Sequence, residues 1–201
     1  MPAGPSEVAV MADSSANPEF IVADLLSQAE HGPDSQVVLV TNDHSLIEKV
    51  VDEITRQLND LPRQTIAEKA LANSQAVVLD RVEDMIDLIN GYAPEHLIIA
   101  MENYLEVAEQ ITNAGSVFLG NYTPESACDY ASGTNHTLPT NGWARSFSGV
   151  NLDSYIKKIT FQEITPKGIQ NLGPIIETMA AAELLDAHKN AVTLRLKELN
   201  K

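Results

Sequence analysis

Five short apolar runs punctuate the chain: EVAVMA at 7–12, QVVLVT at 36–41, QAVVLD at 75–80, HLIIA at 96–100 and SVFLG at 116–120. Rich in Val, Ile and Leu and bounded by polar segments, they predict buried strands. Between them the apolar residues recur at helical spacing, which predicts helices at about 18–31, 43–59, 63–73, 82–90 and 103–113. Alternation of this kind predicts an α/β domain built on a parallel or mostly parallel sheet with flanking helices. Neither GxGxxG nor GxxxxGK[ST] follows a strand, so the usual phosphate-cradling loops are missing.

The pattern stops at 120–150, GNYTPESACDYASGTNHTLPTNGWARSFSGV, which holds four Gly, two Pro and few aliphatic residues. Loops of that length inside a compact domain are uncommon and tend to be functional. This one carries Glu125, Asp129, His136 and Arg145. SYIKKITFQEIT, from Ser154, predicts a short strand, and a helical tail follows from Pro174, placed at a first turn after Gly173. The tail is apolar almost all round in places, so it should bury against something.

Charge narrows the function classes. The 201 residues carry 13 basic and 28 acidic side chains, a net charge of −15, which disfavours nucleic acid as a partner. No run approaches the roughly 18 apolar residues of a membrane span, and PAGPSEVAVMADSSANPEF after Met1 has neither a basic head nor an apolar signal core. Together with Cys128 as the one cysteine, which allows no internal disulfide, this predicts a cytoplasmic protein with no membrane partner.

Four polar constellations stand out. Gln28 and His31 sit three apart at the end of a helix, so an amide and an imidazole share one face. Such a pair is more often solvated than ligating. Glu95 and His96 lie at the mouth of a strand, where an acid and a base serve α/β chemistry, although a cap or a turn uses the same residues. Asp129 and His136 offer a carboxylate and an imidazole for a metal or a proton relay. Cys128 fits a small buried hydrophobe better than a nucleophile. Glu183 and His188 are five apart and would diverge by about 140° on an unbroken helix, so either the helix breaks near Asp186 or the two serve different surfaces. A Gln/His pair, an Asp and a late His make a mixed O/N set suited to Zn²⁺, but no spacing rule forces it.

Several longer stretches resemble the histidinol dehydrogenase family: PAGPSEV, DLLSQAEHGPDSQ, YAPEHLII, AGSVFLG, PESACDYASGTNHTLPT, TFQEI and MAAAELLDAHKNAVTLRL. They run in order from Pro2 to about Leu199. The resemblance implies zinc-dependent, NAD-linked oxidation of L-histidinol to L-histidine in histidine biosynthesis. It places the catalytic Zn²⁺ on Gln28, His31, Asp129 and His188, with His188 supplied by the neighbouring subunit of a homodimer. It makes His96 the base and Glu95 the activator of the attacking water. Substrate contacts then fall on Ser6, Gln28, His31, His96, Asp129, His136, Glu183 and His188, with Glu183 also reaching across from the partner. The family carries a long N-terminal portion with the NAD contacts, so the resemblance is to its C-terminal half, impaired or inactive by itself.

The expected organisation is an incomplete Rossmann-like α/β domain over 1–120, a site loop with a short strand over 121–165, and a helical dimerisation tail over 166–201 that is exchanged between subunits. The alternative function is a free-standing, non-catalytic domain that reuses the same residues to bind metal or an imidazole ligand, or to assemble.

Overall fold

All five apolar runs are strands in the computed structural model, which describes residues 1–201: β1 (Glu7–Ala12), β2 (Gln36–Thr41), β3 (Gln75–Val78), β4 (His96–Ala100) and β5 (Ser116–Leu119). They form one parallel sheet in the order β3-β2-β1-β4-β5. This is the doubly wound order, five strands of a classical six, with the chain changing direction between β1 and β4. Val8 pairs with Val37 on one side and with His96 on the other, so the start of β4 lies against the start of β1.

Alternate residues of each central strand feed opposite layers. Val8, Val10, Leu39 and Ile98 pack under α1 (Pro18–Ala29), α2 (His44–Leu58) and α3 (Gln64–Leu71). Ala9, Met11, Leu97 and Ile99 pack on the other side against α4 (Val82–Tyr92) and α5 (Tyr104–Ala108). β1 and β4 are therefore buried along their whole length, which is why they read as continuous apolar runs rather than as alternation.

Helix α1 matters most to the site because its last turn carries Gln28. It starts at Asn17, whose side chain accepts from the Glu19 N–H, with Pro18 at the first helical position. Ile21, Val22, Leu25, Leu26 and Ala29 anchor its inner face. Asn17→Ala should lower stability by about 1 kcal/mol, read as a lower denaturant midpoint. An unchanged midpoint would show the cap to be dispensable.

Three segments differ from the pattern-based expectation. The 120–150 stretch is not structureless: α6 (Ser126–Tyr130) forms within it, followed by a 3₁₀ turn at Trp143–Arg145. Residues 103–113 yield only the short α5, and Asn90 caps the polar remainder, its Oδ1 accepting from the Thr112 and Asn113 N–H groups. The strand expected at SYIKKITFQEIT is absent. Leu152–Tyr155 is a 3₁₀ turn, and the residues from Ile156 to Thr165 form no strand. Local β-propensity makes a strand only where a neighbouring strand takes up its backbone groups.

The chain divides into two units, Met1–Ile156 and Lys157–Lys201. In the second, α7 (Pro166–Ala182) begins eight residues earlier than Pro174 suggests, because Thr165 accepts from the Gly168 N–H and Pro166 takes the first helical position. Pro174 is interior and is tolerated there. The helix ends at Ala182, Leu184 adopts φ 60°, and α8 (Asp186–Leu199) folds back, so the break expected near Asp186 is present. Gly173 lets the two helices close, since a Cβ there would lie 2.8 Å from Leu196 Cδ1. No helix is long and apolar enough to cross a membrane.

Candidate active site

The site gathers at the amino ends of β1 and β4, beside the last turn of α1. Two local features fix Glu95 and His96 there. Helix α4 terminates at Ala93, a buried residue with φ 56°, and Pro94 prevents its continuation. Gly115 then lies against the turn: a Cβ there would sit 2.5 Å from the Glu95 carbonyl oxygen, so only glycine lets β5 enter beside β4.

His96 is 3% exposed and stands at the centre. Its Nδ1 lies 3.0 Å from the Glu7 carbonyl oxygen and 3.0 Å from Gln28 Nε2. A carbonyl only accepts and an amide NH₂ only donates, so the two contacts belong to different tautomers. The Glu7 carbonyl is backbone fixed in β1 and can only accept, so its contact with the ring takes precedence over that of the Gln28 side chain. Donation from Nδ1–H to Glu7 therefore sets the tautomer and leaves the lone pair on Nε2. Burial disfavours the imidazolium and holds the pKa of His96 below its usual range, as a base requires.

Four carboxylates surround this ring. Glu95 Oε2 accepts from the Glu7 N–H at 2.9 Å and lies 3.6 Å from His96 Nδ1. Burial, reinforced by the charge of Glu7, pushes its pKa up to about 8. Glu7 is itself buried and raised for the same reason, and its Oε1 accepts from the Asn141 N–H at 2.9 Å, tying the site loop to β1. Glu125 precedes α6, is 2% exposed, accepts from Ser27 Oγ at 3.0 Å and sets Oε1 3.8 Å from His96 Nε2. Burial and then the charge of Asp129 raise it to about 7. Asp129 lies one helical turn beyond Glu125, and its Oδ1 is 3.9 Å from His136 Nδ1.

His96, Glu125 and Asp129 each bring a ligand atom within 4.8 Å of the others. Gln28 Oε1, His96 Nε2 and Glu125 Oε1 are buried without a hydrogen-bond partner. Orphaned buried oxygens are costly unless a cation or a donor meets them, so the donor set fits a metal ion of N/O preference. Ser6 and His31 lie at the exposed side of the same corner, with His31 Nδ1 3.2 Å from Ser6 Oγ. His31 and His136 are near enough for their charges to act on His96.

Of the residues singled out in the sequence, the first unit thus collects Ser6, Gln28, His31, Glu95, His96, Asp129 and His136. Glu183 and His188 belong to the second unit, on either side of the break between α7 and α8, which removes the angular objection to their acting together. Cys128 is buried and accepts from Thr134 Oγ1 at 3.0 Å, consistent with a small packing residue. Glu7 and Glu125 went unassigned in the sequence. Glu7 is a carboxylate inside a buried strand, and Glu125 stands four residues before Asp129, spacing that marks both once α6 is known to be helical.

The carboxyl ends of β1 and β4, where doubly wound sheets hold dinucleotides, are of different character. Asp13 occupies the loop after β1 and accepts from the Ser15 and Glu102 N–H groups. With no glycine in this loop and carboxylates at its mouth, a pyrophosphate does not fit there.

The first unit is thus a doubly wound α/β sheet whose buried imidazole is set among carboxylates, in a corner with donor atoms that fit a metal ion. The family model described as histidinol dehydrogenase matches residues 1–196, and the chain belongs to that family. It is 64% identical over 199 residues to histidinol dehydrogenase of Bacteroides thetaiotaomicron and 65% identical over 201 residues to that of Bacteroides fragilis, covering 99% and 100% of this chain and 46% and 47% of those proteins. The crystal structure of histidinol dehydrogenase from Elizabethkingia anophelis superposes with a TM-score of 0.93 at 63% identity, over 100% of this chain and 46% of that one. The chain therefore spans about half the length of these relatives.

Proposed function

We propose that the chain supplies the metal, substrate and proton-transfer half of an enzyme that oxidises L-histidinol to L-histidine with NAD as electron acceptor. The observation that carries this reading is the set of buried, unpartnered atoms Gln28 Oε1, His96 Nε2 and Glu125 Oε1 beside Asp129. Gln28, His31 and Asp129 of one subunit and His188 of its neighbour would hold Zn²⁺, with Ser6, His136 and Glu183 contacting substrate. When bound, zinc would offer open coordination positions to the amino and imidazole nitrogens of the substrate.

The chain's own residues do the rest. His96 Nε2, with its lone pair free and its charge disfavoured by burial, takes the proton of the substrate hydroxyl. The Glu7 carbonyl orients the ring. Glu95, held by the Glu7 N–H, accepts a proton from the water that attacks the aldehyde in its ionised form. None of these residues is proposed to contact NAD.

The reading includes a homodimer that exchanges the helical tail, residues 166–201, of the second unit. Ile159, Phe161, Ile175, Met179, Leu184 and Leu194 of that unit are exposed, a larger apolar surface than scattered residues account for.

Titration of the metal-stripped chain with Zn²⁺ and then histidinol, with mass measured on the same sample, tests the proposal. Zinc-dependent histidinol binding by a dimer is expected. Binding of neither would favour the non-catalytic assembly domain. A compact monomer would remove the exchanged tail.

A further inference from the structure

We propose that Asp24 is a positioning residue of this chain: with Ser27 it clamps α6 to α1 and so sets the span between Gln28 and Asp129. The inference rests on the reading of the site given above. It concerns two residues of the stretch DLLSQAEHGPDSQ that have no role in that reading.

Helix α6 does not hold its own place. It has five residues, Ser126–Tyr130, and buries one of them, Cys128. A helix this short is marginal without support from outside. The support comes from α1 at two points. The carboxylate of Asp24 accepts from the Glu125 N–H. Ser27 Oγ lies 2.8 Å from the Asp24 carbonyl oxygen and 3.0 Å from Glu125 Oε2, so its one hydrogen is shared in a three-centre bond between its own helix and Glu125. One contact holds the main chain of Glu125 and the other its side chain, which restrains both the place and the rotation of α6.

The clamp sits one helical turn before a proposed zinc ligand on each side. Gln28 stands four residues after Asp24 in α1, and Asp129 four residues after Glu125 in α6, so each ligand follows the clamp on the same face of its helix. A shift of Glu125 against Asp24 is therefore a shift of Asp129 against Gln28. Ligand constellations tolerate little of that, because their donor atoms must be held to about 0.5 Å. Partners of this kind, which touch no metal themselves, set metal affinity through the ligands they hold.

Ordinary packing is the competing role, and metal affinity separates the two. A merely structural residue changes the unfolding midpoint of the metal-free chain but leaves the affinity of the folded chain alone. The whole chain, as parent, Asp24→Ala, Asp24→Asn and Ser27→Ala, is stripped of metal and titrated with Zn²⁺ in competition with a chelating indicator. The visible absorption of the Co²⁺-loaded chain reports ligand geometry, and the metal-free unfolding midpoint reports folding.

Asp24→Ala is expected to weaken Zn²⁺ binding by about 10–100-fold and to change the Co²⁺ spectrum, while Asp24→Asn, which keeps an acceptor for the Glu125 N–H, recovers most of both. Parent-like binding by a folded Asp24→Ala would overturn the proposal. So would equal losses in the Ala and Asn variants, since the charge of Asp24 and not its hydrogen bond would then be what matters. If Asp24→Ala does not fold, Ser27→Ala carries the test: a loss of about tenfold is expected, and parent-like binding overturns the clamp. In each of these failures the parent still binds Zn²⁺ and the wider reading of the site stands. A parent chain that binds no Zn²⁺ would remove that reading, and this inference with it.

Discussion

Glu95→Gln should stabilise the first unit above about pH 8 by on the order of 3 kcal/mol. Burial, with Glu7 as a nearby like charge, raises the Glu95 carboxyl to about 8 in the folded chain, whereas an unfolded chain releases that proton near the ordinary value of 4.5. Between those two values the unfolded state holds fewer protons than the folded one, so the contribution of Glu95 to stability falls as pH rises through the window and is fully lost above it. Gln accepts from the Glu7 N–H as the carboxylate does, but it has no charge to bury. Glu7 and Glu125 act with the same sign and His96 with the opposite one, so the difference between variant and parent isolates Glu95. Denaturant unfolding at pH 5 and pH 8.5 measures it. A parent and variant that keep equal stability at both values would show that Glu95 ionises freely in the fold.

Asp129→Ala should weaken Zn²⁺ binding by at least about 100-fold, since loss of even an outer-shell partner costs 10–100-fold. Asp129 is the one charged member of the proposed ligand set, and it faces His96, Glu125 and His136 in a corner already short of hydrogen-bond partners. Removing it leaves imidazoles and a neutral amide to hold a dication. Competition with a chelating indicator gives the affinity. Should Asp129→Ala and His31→Ala both bind Zn²⁺ as the parent does, the ligand assignment is wrong. The stability consequence of Glu95→Gln is independent of that result, because the Glu95 and Glu7 carboxyls are buried whether or not a metal is held.

The two results bear on different layers of the same corner. Glu95 and Glu7 show that the amino ends of β1 and β4 store unfavourable charge burial, which a domain tolerates where chemistry requires it. The Gln28 and Glu125 oxygens, buried without a partner, have the complementary need for a cation or a donor. A protein that had kept the fold for assembly alone would gain stability by replacing any of these side chains with apolar ones.

What the sequence determined by itself was the layered fold. Five apolar runs separated by helical periods leave little choice, because strands buried on both faces must be apolar at every position and helices on a sheet must be apolar on one stripe. The cap at Asn17 and the break before Asp186 are also local, and local rules reach them, whereas the helix expected to carry both Gln28 and His31 ends at Ala29 and leaves His31 in the turn that follows. Tertiary structure alone decided three things. SYIKKITFQEIT does not become a strand, because no partner strand is there to pair with it. The tautomer of His96 follows from the carbonyl of Glu7, 89 positions away in the chain and brought alongside by the β1–β4 pairing. Glu125 enters the site because α6 turns it inward between Ser27 and His96. Hydrogen bonds and desolvation act through space rather than along the chain. A carboxylate in a glycine-rich loop therefore declares its role only once the fold has put a buried, unpaired nitrogen in front of it.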